Sequence, residues 1–149
     1  MKMVLYENDK RIVARAVTFI DDKILLMERY RKDGNDMLHY YTIPGGGVEE
    51  GETFKDAAIR ETKEETCCNI EIIKTLEVEE FPGGLCHWFL ARYISGTPTL
   101  GGEEKERNNP DNSYQVVLID MKDIDDINIL GRGKKIVKKC YKLYKKANK

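Results

Sequence analysis

The sequence predicts an α/β domain built on a mixed sheet. Apolar runs of strand length recur along the chain, helical spacing of apolar residues is confined to two stretches, and those stretches interrupt the strands. A chain of 149 residues can close one core, and no linker, repeat or low-complexity segment divides it, so a single domain over 1–149 is expected.

Residues 11–20 (Arg-Ile-Val-Ala-Arg-Ala-Val-Thr-Phe-Ile) read as a strand, Asp21-Asp22 as a turn and residues 23–29 as the hairpin partner. Residues 32–36 are polar and read as a loop, and residues 39–43 as a short aromatic strand stopped by Pro44 and three glycines. Residues 53–66 read as a helix with Thr53 as N-cap and Asp56 as its weak capping partner. Residues 70–80 and 86–94 are strands on either side of Phe81-Pro82-Gly83-Gly84. Residues 95–113 form a long polar loop, a length associated with function or mobility. A strand at 114–120 and a helical turn at 121–126 follow. The final helix, 134–147, carries Ile136, Val137, Cys140, Tyr141, Leu143 and Tyr144 at helical spacing.

A net charge of −1 provides no global attraction to nucleic acid or to an anionic membrane. The local distribution says more. Residues 49–65 hold seven acids against three bases, and residues 131–149 hold nine bases and no acid. The basic stretch coincides with an amphipathic helix whose lysines would point outward, so a nucleic-acid partner is not expected. The four cysteines form no CxxC pair and only two histidines are present, which argues against structural zinc. No apolar run approaches the roughly 20 residues that cross a bilayer, so no membrane partner is expected. With reduced thiols the bland assignment for Cys67, Cys68, Cys86 and Cys140, the expected location is the cytoplasm.

The chemistry is concentrated between Gly45 and Glu65. A helical residue turns by about 100°, so Glu61, Glu64 and Glu65 share one face. Three like charges there destabilise a bare helix, and a divalent cation relieves them. Hard carboxylate oxygens favour Mg²⁺ or Mn²⁺, which retain coordination positions for water and phosphate. Taken alone, the acidic face also fits plain solvated surface, and Pro-Gly-Gly also fits an ordinary turn.

The two features together resemble the Nudix (MutT-like) hydrolases, whose box reads Gly-x5-Glu-x7-Arg-Glu-U-x-Glu-Glu-x-Gly-U with U bulky and apolar. Gly46, Glu52, Arg60, Glu61, Glu64 and Glu65 match six of its seven fixed positions, and Cys67 replaces the last glycine. The resemblance implies a Nudix-like α/β/α sandwich and a pyrophosphohydrolase acting on a nucleoside diphosphate linked to another group. A (d)NTP cleaved to NMP and pyrophosphate is the first expectation, with ADP-ribose, a dinucleoside polyphosphate or an RNA 5′ end as alternatives. A catalytically inactive nucleotide-binding regulator is the contrasting class.

Carried over by motif position, Glu61, Glu64, Glu65 and the Gly45 carbonyl would hold Mg²⁺ or Mn²⁺. Glu61 would be a ligand or the general base. Arg60 would hold Glu61 and the neighbouring carboxylates in place through its fork of donors, Glu52 would stand behind the ligands or reach a metal through water, and Gly46 would lie against the substrate. Family members also recruit an acid from the later loop, where Glu103, Glu104 and Glu106 are the candidates. Arg29 would reach a phosphate or base, with a surface salt bridge as the alternative. Tyr41, with His39 on the same face of its strand, is a stacking candidate or simply packing, and Asn112 is a base-edge or turn-capping candidate. The expected partner is a small-molecule nucleotide, and the family's frequent homodimers make a second copy an option. The glycine-to-cysteine change puts the geometry of the helix end in question, either as a strained residue at Cys67 or as a helix running on to Asn69.

Overall fold

A computed structural model describes residues 3–147, so Lys149 of the basic stretch lies outside the described residues. Eight strands share one sheet: β1 (Tyr6–Glu7), β2 (Lys10–Ile20), β3 (Lys23–Asp33), β4 (Asp36–Thr42), β5 (Gly45–Gly47), β6 (Asn69–Phe81), β7 (Gly84–Ser95) and β8 (Asn112–Asp120). Helices α1 (Phe54–Thr66), α2 (Gly102–Arg107) and α3 (Gly133–Ala147) fall between and after them, with a 3-10 turn at Met121–Asp126. The sheet is mixed because β2 runs parallel to β7, whereas its other pairings are antiparallel.

Strand β2 is apolar on both faces because both are covered. Ile12, Ala14 and Ala16 meet α1, and Val13, Val17 and Phe19 meet α3. Helix α1 approaches closely because its buried positions include the small residues Ala57, Ala58 and Thr62. The Thr53 hydroxyl accepts the Asp56 N–H at 3.0 Å and caps its first turn. On the other face α3 buries Ile136, Val137 and Cys140, while Tyr141 and Tyr144 pack at 5.3 and 4.9 Å from the Phe19 ring. Full burial of a side chain such as Phe19 or Ile136 contributes about 2–3 kcal/mol. The α3 lysines turn outward as expected: Lys138 pairs with Asp125, and Lys139 with Glu77 at 3.4 Å. Among the described residues no helix is long and apolar enough to cross a membrane, and all four cysteines are free thiols.

Several local expectations are corrected. The polar stretch 32–36 is not a loop, because β3 continues to Asp33 and pairs with Asp36 across a turn in which Gly34 has φ 64°. Ladder bonds to β4 and β8 on the two sides of β3 outweigh the polarity of side chains that face solvent. The glycine run is not a loop either. It forms β5, pairing with β2 through Val13↔Gly47, Ala14↔Gly46 and Arg15↔Gly45. The long segment before β8 contains α2, and its last two residues, Asn112 and Ser113, already belong to β8. The helix end at Cys67 is left-handed, with φ 62°, and its N–H donates to the Lys63 carbonyl.

One feature of the topology makes room for a site. Strands β2 and β3 pair only at Phe19↔Ile24 and Ile20↔Lys23. Beyond that point β2 takes β5 as its partner, and β3 takes β4 and β8. The sheet opens into two limbs, and α1 carries its acidic face to the opening.

Candidate active site

The opening is a polar cleft of ≈ 620 Å³ lined by β2, β5, α1 and α2. The glycines are required by close approach. A Cβ on Gly46 would stand 2.6 Å from the Glu61 carboxyl carbon, and one on Gly45 would stand 2.3 Å from the Ala14 carbonyl oxygen. Bare backbone at β5 therefore lets the Glu61 carboxylate rest on the strand. The Gly45 N–H donates to Glu65 Oε1 at 3.1 Å.

Arg60 organises the acids. Its Nε and Nη2 donate to the two oxygens of Glu52 at 2.7 and 3.1 Å, and its Nη2 also donates to the Gly47 carbonyl at 3.0 Å. Nη1 reaches Glu61 at 3.0 Å and Glu64 at 3.2 Å. Glu52 in turn accepts the Glu49 N–H at 3.0 Å, locking the segment that links β5 to α1. The Glu52 bonds, and then the other nearby acids, hold the Arg60 proton more firmly than in free arginine despite its partial burial.

The acids have very different environments. Glu64 is half exposed, whereas Glu65 is 7% exposed. Burial pushes the Glu65 carboxyl up to about 8, Glu61 and Glu104 push the same way, and Arg15 and the Gly45 N–H oppose them. Burial also raises Glu61, against the pull of Arg60 and with the push of Glu64 and Glu104. Both carboxyls therefore hold their protons more firmly than free glutamate does.

The donor set fits a hard divalent cation on two grounds. It consists of oxygens, and Glu65 is buried with one N–H donor and two other carboxylates nearby. Among the described residues no three acidic, His or Cys side chains already converge as a cage, because Glu61 and Glu64 are turned onto Arg60. A cation held by those two carboxylates would have to compete with Arg60 for them.

Of the expected residues, Gly45, Gly46, Arg60, Glu61 and Glu64 line the cleft, and Glu52 stands behind Arg60. Glu65 and Arg29 line an adjoining recess of ≈ 200 Å³ with Met27, Thr42, Glu104 and Tyr114. The Arg29 guanidinium lies 3.8 Å from the centre of the Tyr114 ring, donates to Ser113 O at 3.3 Å and bonds to the Asn112 side chain. Asn112 thus holds Arg29. Among the loop acids, Glu104 is half-buried and faces both cavities. Glu103 lines the cleft but pairs with Arg107 at 2.9 Å, and Glu106 is exposed away from it.

Tyr41 is a correction. It shares a face with His39, but that face is turned away from the cleft. Tyr41 sits 8% exposed in the core beneath α3, and its hydroxyl donates to Glu28 at 2.9 Å. Strand alternation puts Tyr41 and His39 on one face, but it does not determine which face of the sheet carries the site. Sequence reasoning missed Arg11 and Arg15, both of which line the cleft from β2. The available signal was a charged residue, Arg15, inside an otherwise apolar central strand.

The chain has relatives among known proteins. An ADP-ribose pyrophosphatase of Methanocaldococcus jannaschii is 48% identical over 85 residues, covering 57% of this chain and 48% of that protein. The NAD-capped RNA hydrolase NudC of Photorhabdus laumondii is 37% identical over 78 residues, covering 51% of this chain and 29% of that protein. The match therefore spans less than half of either relative. In fold, the chain resembles a MutT NUDIX hydrolase from Burkholderia pseudomallei with TM-score 0.63 at 24% identity, covering 86% of this chain and 95% of that one. Residues 9–140 match the family model of the NUDIX domain, and the chain belongs to that family.

Proposed function

We propose that this protein is a Mg²⁺- or Mn²⁺-dependent pyrophosphohydrolase acting on nucleoside diphosphate-linked substrates, with a (d)NTP cleaved to NMP and pyrophosphate as the leading substrate. The observation that carries the proposal is the placement of half-buried Glu61 and Glu104 and buried Glu65 around the bare β5 backbone. Glu61, Glu64, Glu65 and the Gly45 carbonyl would hold the metal, and Glu104 is the loop acid best placed to join them. When bound, the metal would neutralise charge developing on the phosphoryl oxygens and acidify an attacking water.

The chain's own residues do the positioning. Arg60 keeps Glu52, Glu61 and Glu64 in a fixed relation. As the alternative to holding the metal, Glu61, with its carboxyl raised by burial, would accept a proton from the attacking water. Arg29, held over the Tyr114 ring, would present positive charge to an incoming phosphate. ADP-ribose is the second reading, favoured by the similarity to the M. jannaschii enzyme.

The test is a nucleotide panel with and without Mg²⁺, with products identified by mass spectrometry. Metal-dependent release of NMP and pyrophosphate is expected, and Glu64→Gln or Glu65→Gln should lower kcat roughly a hundredfold or more with the fold intact. Preferential cleavage of ADP-ribose would select the second reading. Tight nucleotide binding with no turnover in either metal would identify a regulator instead.

A further inference from the structure

Helix α3 carries its charge on the side turned away from the sheet. Lys135, Lys138, Lys139, Lys142, Lys145 and Lys146 are all exposed, and at about 100° per residue they fall within about 120° of the helix circumference. The opposite side, with Ile136, Val137 and Cys140, is buried in the core. From Lys135 to Lys146 the lysine face runs about 16 Å, at 1.5 Å per residue. It lies on the layer opposite α1, away from the acidic cleft.

Helix stability does not account for this face. Elsewhere the chain pairs helical charges one turn apart, Arg60 with Glu64 at 3.2 Å on α1 and Arg107 with Glu103 at 2.9 Å on α2. Helix α3 has no acid of its own, so its lysines three and four residues apart repel one another. Lys145 and Lys146 suit the negative end of the helix dipole, but Lys134 and Lys135 stand in the first turn, where positive charge opposes it. Lys138 pairs with Asp125, Lys139 pairs with Glu77 at 3.4 Å, and Lys145 lies 5.3 Å from the centre of the Tyr141 ring. Among the described residues no carboxylate pairs with Lys135, Lys142 or Lys146. These three fall within about 40° of one another and form a single row along the helix.

The surroundings of the row select its partner. Lys138 and Lys139 lie on opposite sides of it, so Asp125 borders one flank and Glu77 the other. A plane of anionic lipid headgroups would be pressed against both acids, and a duplex would bring its second strand over one of them. A single phosphodiester strand can follow the row with an acid on either side. A lysine ammonium is a point charge on a flexible stem, which meets phosphate in many geometries and reads no base. We infer that the row Lys135, Lys142 and Lys146 is a docking surface for single-stranded nucleic acid, held through its phosphates and without base preference. This surface is independent of the chemistry proposed for the cleft.

The probe is a short fluorescein-labelled oligouridylate, titrated with the full chain in a chelator and followed by anisotropy. Binding is expected at low salt, and the logarithm of the association constant should fall against the logarithm of salt with a slope of about −2, as for three phosphates on a single strand. Combining Lys135→Gln, Lys142→Gln and Lys146→Gln keeps helix propensity and should weaken the probe by roughly tenfold or more while flattening the slope. The corresponding triple change to arginine keeps the charge and should bind like the parent chain. Lys32, Lys55 and Lys63 are exposed lysines outside α3, and changing all three to glutamine should leave binding nearly unaltered. Far-ultraviolet circular dichroism checks that each variant is folded. The inference is overturned by a parent chain that does not bind the oligouridylate, or by a glutamine variant of the row that binds it like the parent. It is also overturned by an equal loss in the variant outside α3, by tighter binding of a duplex of the same length, or by capture on phosphatidylserine vesicles in preference to the oligouridylate. Every arm is read without turnover, so failure of the pyrophosphohydrolase reading is seen separately, in the nucleotide panel.

Discussion

Arg60 grips Glu52 with two parallel hydrogen bonds, Nε to Oε2 at 2.7 Å and Nη2 to Oε1 at 3.1 Å. The pair ties the middle of α1 to the segment that follows β5, and the remaining Nη1 is aimed at Glu61 and Glu64. Arg60→Lys keeps the charge but loses the fork. It should lower kcat by roughly tenfold or more, with a smaller change in KM and an unchanged far-ultraviolet spectrum. Glu52→Gln should reproduce most of this loss, and the double variant should be less than additive because both act on one network. Full additivity in a double-mutant cycle would show that the two residues act separately.

Burial raises the Glu65 carboxyl from its ordinary value of 4.5 to about 8. The folded state therefore binds the proton more tightly than the unfolded state. The stability this contributes is complete below the unfolded value and is lost as pH rises through about 8. In a chelator, Tm should fall across that window. On the proposed metal role of Glu65 a divalent cation would take the place of the proton, so the Tm gained from added Mg²⁺ should grow over the same window. Thermal unfolding at a series of pH values, with and without Mg²⁺, checks both trends, and a Mg²⁺ effect independent of pH would contradict them.

Cys67 closes α1 in a left-handed conformation, φ 62° and ψ 16°, that a side chain adopts at some cost. Cys67→Gly restores the residue that the family box carries there and should raise stability by about 0.5–1 kcal/mol. Chemical denaturation reads this directly. A decrease would mean that contacts of the Cys67 side chain outweigh the backbone strain.

Thr62 is fully buried on the inner face of α1, and its hydroxyl has no hydrogen-bond partner among the described residues. Thr62→Val keeps the shape and removes the stranded polar atom, so it should stabilise the protein by about 1 kcal/mol and leave the metal affinity unchanged. The midpoint of urea unfolding, together with calorimetric titration of Mn²⁺, separates the two effects.

The sequence by itself determined the α/β class, the capped acidic helix and the identity of the carboxylates. These depend on spacing along one element: Thr53 caps Asp56, and Glu61, Glu64 and Glu65 share a face whatever the rest of the chain does. Tertiary structure alone decided which other groups meet them. The separation of β2 from β3 beyond Phe19 sends the glycine run into a strand, brings Arg11 and Arg15 to the cleft and leaves Glu104 facing it, across many residues of intervening chain. Tyr41 was lost to the site for the same reason. Period-two alternation puts it on a definite face, but only the packing of α3 determines that this face is core.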